Sequence, residues 1–140
     1  GDTVFELDLE GTRFEFELEN YKKSTKENWD VEWCVVTARV YSDVLKYSLH
    51  SSCLLCCEVE LLYQKLVELE NGEIVDTTEI ENIEPDFEYL LCHVASGVYY
   101  MEWKFNLWNE GCLTANSITI TLNEEDIKKL REYLYNIINQ

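Results

Sequence analysis

Two runs near the amino terminus alternate without a break between acids and large apolar side chains. Phe5, Leu7 and Leu9 interleave with Glu6, Asp8 and Glu10, and Phe14, Phe16 and Leu18 interleave with Glu15, Glu17 and Glu19. Successive side chains of a strand point to opposite faces, so a period of two makes these runs β-strands with one core face and one face of carboxylates. Gly11, in the sequence Glu10-Gly11-Thr12, supplies the positive φ of a tight hairpin between them.

That acidic face belongs to a chain with 28 acidic and 11 basic side chains, a formal net charge of −17. Such a chain repels nucleic acid and attracts basic partners, and its self-repulsion weakens folding at low ionic strength. Lys22, Lys23 and Lys26, the main cluster of positive charge, are too few to replace phosphate counterions. The charge is not the mark of a disordered chain, because 46% of the residues are hydrophobic and 13% aromatic. At 140 residues the expectation is one domain spanning 1–140, with enough apolar surface for a core.

No apolar run approaches the roughly 18 to 20 residues of a membrane span. The start Gly1-Asp2-Thr3 lacks the basic and apolar regions of a signal peptide, and a start at Gly without Met is what a cleaved tag or a longer precursor leaves. A reducing cytoplasm is the expected compartment. Six Cys, three of them crowded at Cys53, Cys56 and Cys57, do not form the even framework of a secreted disulfide scaffold.

Along the chain, Asn20 to Asn28 reads as a polar loop, Val31 to Tyr41 as a strand, and Val44 to His50 as a further short strand after a Ser42-Asp43 turn. The period then changes. Leu55, Val59, Leu62, Leu66 and Leu69 fall at steps of four and three, one stripe of a helix over about 55–70 that Asn71-Gly72 ends. Glu58, Glu60, Glu68 and Glu70 lie off that stripe. The acids continue from Glu73 to Glu88, the most negative stretch. Strands at Phe87 to Ala95 and Val98 to Trp108 are joined by Ser96-Gly97, and a last strand holds Ile118, Ile120 and Leu122. Asn123 caps a helix over about 124–139, with Glu124, Glu125 and Asp126 in its positive first turn and Ile127, Leu130, Leu134, Ile137 and Ile138 as its core stripe. No internal repeat is visible. This order argues for an α+β fold, a mostly antiparallel sheet or sandwich with two helices packed on it.

No catalytic residue, metal set or cofactor emerges. Cys53-Leu54-Leu55-Cys56 is half of a zinc pattern with His50 upstream, but no second pair completes it, and buried free thiols are expected. Glu58 and Glu60 beside the thiols oppose a thiolate. His93, mid-strand, has no nucleophile elbow near it and reads as a sheet histidine. The acids of 76–86 lack the spacing of a calcium loop. Trp29, Tyr99, Tyr100 and Trp108 cannot all be internal by alternation, and exposed aromatics are favoured interface anchors.

Asp30-Val31-Glu32-Trp33-Cys34-Val35-Val36 resembles the D-x-N-W-L-x-V strand of the WapI-type immunity proteins of bacterial polymorphic toxin systems, with Glu32 and Cys34 in place of Asn and Leu. The helix pattern Leu55, Glu58, Val59, Leu62, Leu66, the turn Glu84-Pro85-Asp86-Phe87 followed by Tyr89, and Asp126-Ile127 with Leu130 match in the same order. The resemblance implies a small cytosolic protein that neutralises a cognate toxin domain by binding it, with no catalysis. Electrostatics then nominates Glu79, Glu81, Glu84, Asp86 and Glu88 as partner-binding, and next Glu15, Glu17 and Glu19. The contrasting expectation is a β domain holding a small ligand or carbohydrate on Trp and Tyr in a sheet groove.

Overall fold

A computed structural model of the chain describes residues 4–73, 78–80, 87–109 and 111–140. Four antiparallel strands and a helix occur twice in succession. The first set is β1 (Phe5–Leu9), β2 (Thr12–Glu19), β3 (Trp33–Ser42), β4 (Lys46–Leu55) and α1 (Cys56–Glu70); the second is β5 (Thr78–Ile80), β6 (Phe87–Ala95), β7 (Val98–Asn109), β8 (Cys112–Asn123) and α2 (Glu124–Ile138). Each set makes one sheet with its strands in chain order, so the fold is α+β and mostly β. The repetition is one of element order, and it had no counterpart in the residue pattern.

The alternation works as the sequence requires. Phe5, Leu7, Phe14, Phe16 and Leu18 are buried, and the acids between them point away from the core. The two sheets face each other across aromatic contacts. Trp103 of β7 lies edge-on to Phe14 at 5.8 Å and 6.0 Å from Phe16, and Tyr47 of β4 stacks on Phe105 at 4.1 Å. One buried cluster runs through both sheets and both helices.

The helices pack on each other, tied at the surface by Arg131 Nε, which lies 2.9 Å from both carboxylate oxygens of Glu70. In α2, Asn123 Oδ1 accepts from the Asp126 amide at 2.9 Å and Asp126 returns the bond at 3.0 Å, satisfying two amides that a helix start leaves orphaned. Tyr133 on the same helix meets Phe5 and accepts a 3.0 Å hydrogen bond from the Leu18 amide, beyond the point where β1 has run out as a partner for β2. No helix among the described residues is long and apolar enough to cross a membrane.

Several expectations change. β4 runs from Lys46 to Leu55, five residues past His50, because a register shift opposite Cys34 and Val36 resets its alternation. Cys53, Leu54 and Leu55 are consequently all buried. β5 lies inside the acidic stretch, where charge obscured a three-residue strand. Glu58, expected off the apolar stripe, is only 7% exposed, since its Oε1 turns back to accept the Leu55 amide at 2.8 Å. The expectation that Trp29, Tyr99, Tyr100 and Trp108 are not all internal stands, with Tyr99 buried and Trp29 exposed.

Candidate partner-binding surface

Cross-strand register assembles the outward residues of the first sheet into rows. Glu6, Glu15, Arg39 and Ser48 form one row, Asp8, Arg13, Tyr41 and Lys46 the next, and Glu17, Thr37 and His50 another. Together with Glu19, further along β2, five acids therefore share a face with two arginines that interrupt them. Arg13 reaches Glu6 at 2.9 Å and Glu15 at 3.1 Å, and Arg39 reaches Glu15 at 3.3 Å. Exposed pairs of this kind add little stability. They leave Glu15 engaged at the centre, while Asp8 and Glu19 stand exposed and Glu17 half-exposed around it.

The first-nominated group, Glu79, Glu81, Glu84, Asp86 and Glu88, is described only in part. Glu79 of β5 is opposite Leu90, and Glu88 of β6 is opposite Lys104; Leu90 pairs in turn with Glu102. Glu88 and Lys104 belong to an outward row of the second sheet, so Glu88 does not share a row with Glu15, Glu17 and Glu19 of the first. Glu81, Glu84 and Asp86 lie outside the described residues.

The loop that carries Lys22, Lys23 and Lys26 is fastened by Glu60. Its carboxylate accepts hydrogen bonds from the Tyr21 hydroxyl at 2.5 Å, the Ser24 amide at 2.9 Å and the Ser24 hydroxyl. Burial pushes the Glu60 carboxyl up, but the bonds from Ser24 and Tyr21, with Lys23 nearby, outweigh it and hold the pKa below its ordinary value. Two residues away the balance reverses. Burial raises Glu58, and the Leu55 amide only partly offsets it. The anchored loop presents Trp29 at 52% exposure, with Val31 exposed beside it.

The cysteines divide. Cys34, Cys53 and Cys56 are buried, Cys34 Sγ lies 3.4 Å from Cys56 Sγ, and half-buried Cys57 donates to the Trp29 carbonyl at 3.4 Å. Burial first, then the bond to Cys56, pushes the Cys34 thiol well up, and burial with Glu58 and Glu60 raises Cys57, so neither is poised as a thiolate. His50 points away from them to Thr37 Oγ1 at 2.9 Å, and among the described residues no three of His, Cys, Asp or Glu converge on a common point. His93 stacks on Tyr99 at 4.9 Å.

One feature was missed in the sequence. An open groove of about 420 Å³ runs between the hairpin-tip end of the first sheet and β8, lined by Leu9, Phe14, Val40, Leu45, Ile118 and Ile120 among others. Its lining holds no Trp or Tyr, so it does not offer the aromatic platform of a carbohydrate site. The exposed aliphatics Val44 and Leu45, flanked by Asp43, were its only sequence signal.

Fold and surface together define a two-sheet α+β protein whose outward strand positions are rich in carboxylates. The chain belongs to the WapI-like immunity protein family, whose model matches residues 5–140. In fold it is similar to the solved structure of the plant transcriptional regulator PBF-2, with a TM-score of 0.51 and 10% identity over 96% of this chain and 79% of that one. At that identity the likeness is one of fold alone. A search of curated proteins finds no match.

Proposed function

We propose that the chain neutralises a cognate bacterial toxin domain by binding it in the cytoplasm, turns over no substrate, and uses its outward carboxylates to draw a cationic surface of the toxin onto itself. Membership of an immunity protein family supports the binding role. The observation that carries the electrostatic part is the unbroken in-and-out alternation of β1 and β2, which sets Glu6, Asp8, Glu15, Glu17 and Glu19 on one outward face. A nuclease is the toxin class this suits, because a groove that holds nucleic acid must be basic. Complementary fields of this kind raise association rates by roughly 10 to 1,000-fold at low salt. Glu79, Glu81, Glu84, Asp86 and Glu88 are the other acidic candidate, of which Glu81, Glu84 and Asp86 lie outside the described residues.

Arg13 and Arg39 are part of the device. By bracing Glu15 they hold a row of side chains in fixed rotamers, so less rotamer freedom is lost when a partner arrives. The test is co-expression with the carboxy-terminal toxin domain encoded next to the gene. Survival of the host and recovery of a stoichiometric complex are expected, whereas continued killing would remove the reading.

A further inference from the structure

Sheet edges are unpaired templates, and a chain that keeps its fold to itself guards them with charge, bulges, brevity or cover. Three of the four edges here are guarded. β1 is five residues long, carries Glu6 and Asp8, and has Lys129 of α2 donating to the Glu6 carbonyl. β4 opens with Lys46 and is broken by its register shift. β5 has three residues.

β8 is different. It is twelve residues long, and Cys112 to Asn123 contains no charged residue and no proline in a chain where 28% of residues are charged. Its pairing with β7 runs without a register shift from Val98–Asn123 to Asn109–Cys112, and among the described residues no strand pairs with its other side. The apolar groove lies along Ile118 to Thr121 of this same strand. Across the groove Val44 is 95% exposed, which leaves a β-branched aliphatic in water at a turn that could have carried any polar residue. An unguarded edge and an apolar trough beside it are the two parts of a strand-addition site: backbone groups for affinity, and space for alternate side chains.

Charge decides between occupants. A second copy would bring another net −17 against the same face, while the groove's own lining includes the exposed carboxylate of Glu10, and exposed Asp43 precedes its lining residue Val44. We infer that β8 accepts an extended segment of the toxin domain as a further strand of the second sheet, with aliphatic side chains of that segment in the groove and basic ones against Glu10 and Asp43. This rests on the toxin-binding reading and names where the toxin is held. The carboxylates bring the partner in, and the neutral edge retains it.

The variants Val44→Asp and Val44→Asp with Leu45→Asp separate the two effects, because they add the charge that steering favours while spoiling the trough. The single variant sits on an almost fully exposed side chain, so the fold is not at issue. Binding of the purified toxin domain should weaken at least about tenfold with unchanged thermal stability. Hydrogen exchange of the β8 amides should slow in the complex. Unchanged or tighter binding by the variants, or β8 exchange unaltered by the toxin, overturns the edge assignment and leaves toxin binding intact. Failure of the unaltered chain to bind overturns both. A dimer of the free chain by light scattering, with β8 protection rising with its concentration, assigns the edge to a second copy and also overturns the proposal.

Discussion

β2 and β8 are strands of the same fold that meet solvent in opposite ways. Outward positions of β2 carry Arg13, Glu15, Glu17 and Glu19, with Glu15 paired to Arg13 and Arg39, and those of β8 carry Ser117, Thr119 and Thr121. The first cannot dock on a neutral strand without stripping water from charges, which costs more than their pairing returns. The second can be covered at little cost but attracts nothing from a distance. A protein that must capture a partner quickly and hold it needs both kinds of surface, and here they are divided between two sheets.

The largest effect should come from the residue that joins them. Trp103→Ala removes the ring that touches Phe14 and Phe16 across the sandwich and should cost about 3 to 5 kcal/mol in denaturant unfolding, disabling both regions together. Next comes neutralisation of one region alone. Glu6→Gln, Asp8→Asn, Glu17→Gln and Glu19→Gln combined should slow association with the toxin domain by roughly 10 to 100-fold at low salt, a gap that closes as salt rises. Ser117→Ala with Thr119→Ala should leave the salt dependence of association as it was. An equal salt response from both sets would erase the comparison.

Smaller effects test the helix beneath. Glu60→Ala frees Tyr21 and Ser24 and should lower stability by about 1 to 2 kcal/mol. Because the folded state holds the Glu60 pKa down, its contribution is complete above the ordinary carboxylate pKa and fades as pH falls through the lowered one, so wild type and variant should converge in acid. Glu58 has the opposite sign. Its raised pKa means that folding favours the protonated form, and stability is lost as pH climbs from the ordinary carboxylate pKa through the raised one. Glu58→Gln keeps an acceptor for the Leu55 amide, removes the buried charge, and should raise stability by up to about 1 kcal/mol, more at neutral than at acid pH.

Most of the fold was legible because its elements obey their periods. Phe14, Phe16 and Leu18 declare a strand, Leu62, Leu66 and Leu69 a helix, and Asn123 with Asp126 a capped start. What escaped depended on distance in the chain. The role of Glu60 follows from Tyr21, which tertiary contact brings from a loop 39 residues away, whereas the turn of Glu58 back to the Leu55 amide is local, within the first turn of the helix. The alternation put the acids of β1 and β2 on one face, but the arginine set among them could not be read, since Arg39 meets Glu15 only through the register of β2 with β3. The neutral run Cys112 to Asn123 was visible throughout, yet nothing in the residues said it would be an edge.

The central claim is that this chain captures a cationic protein through fixed surface charge. Measuring the association rate of the purified chain with the neighbouring toxin domain from low to high ionic strength tests it most directly. The account predicts a rate that falls steeply with salt while dissociation changes little; a rate indifferent to salt, or no complex at all, would contradict it.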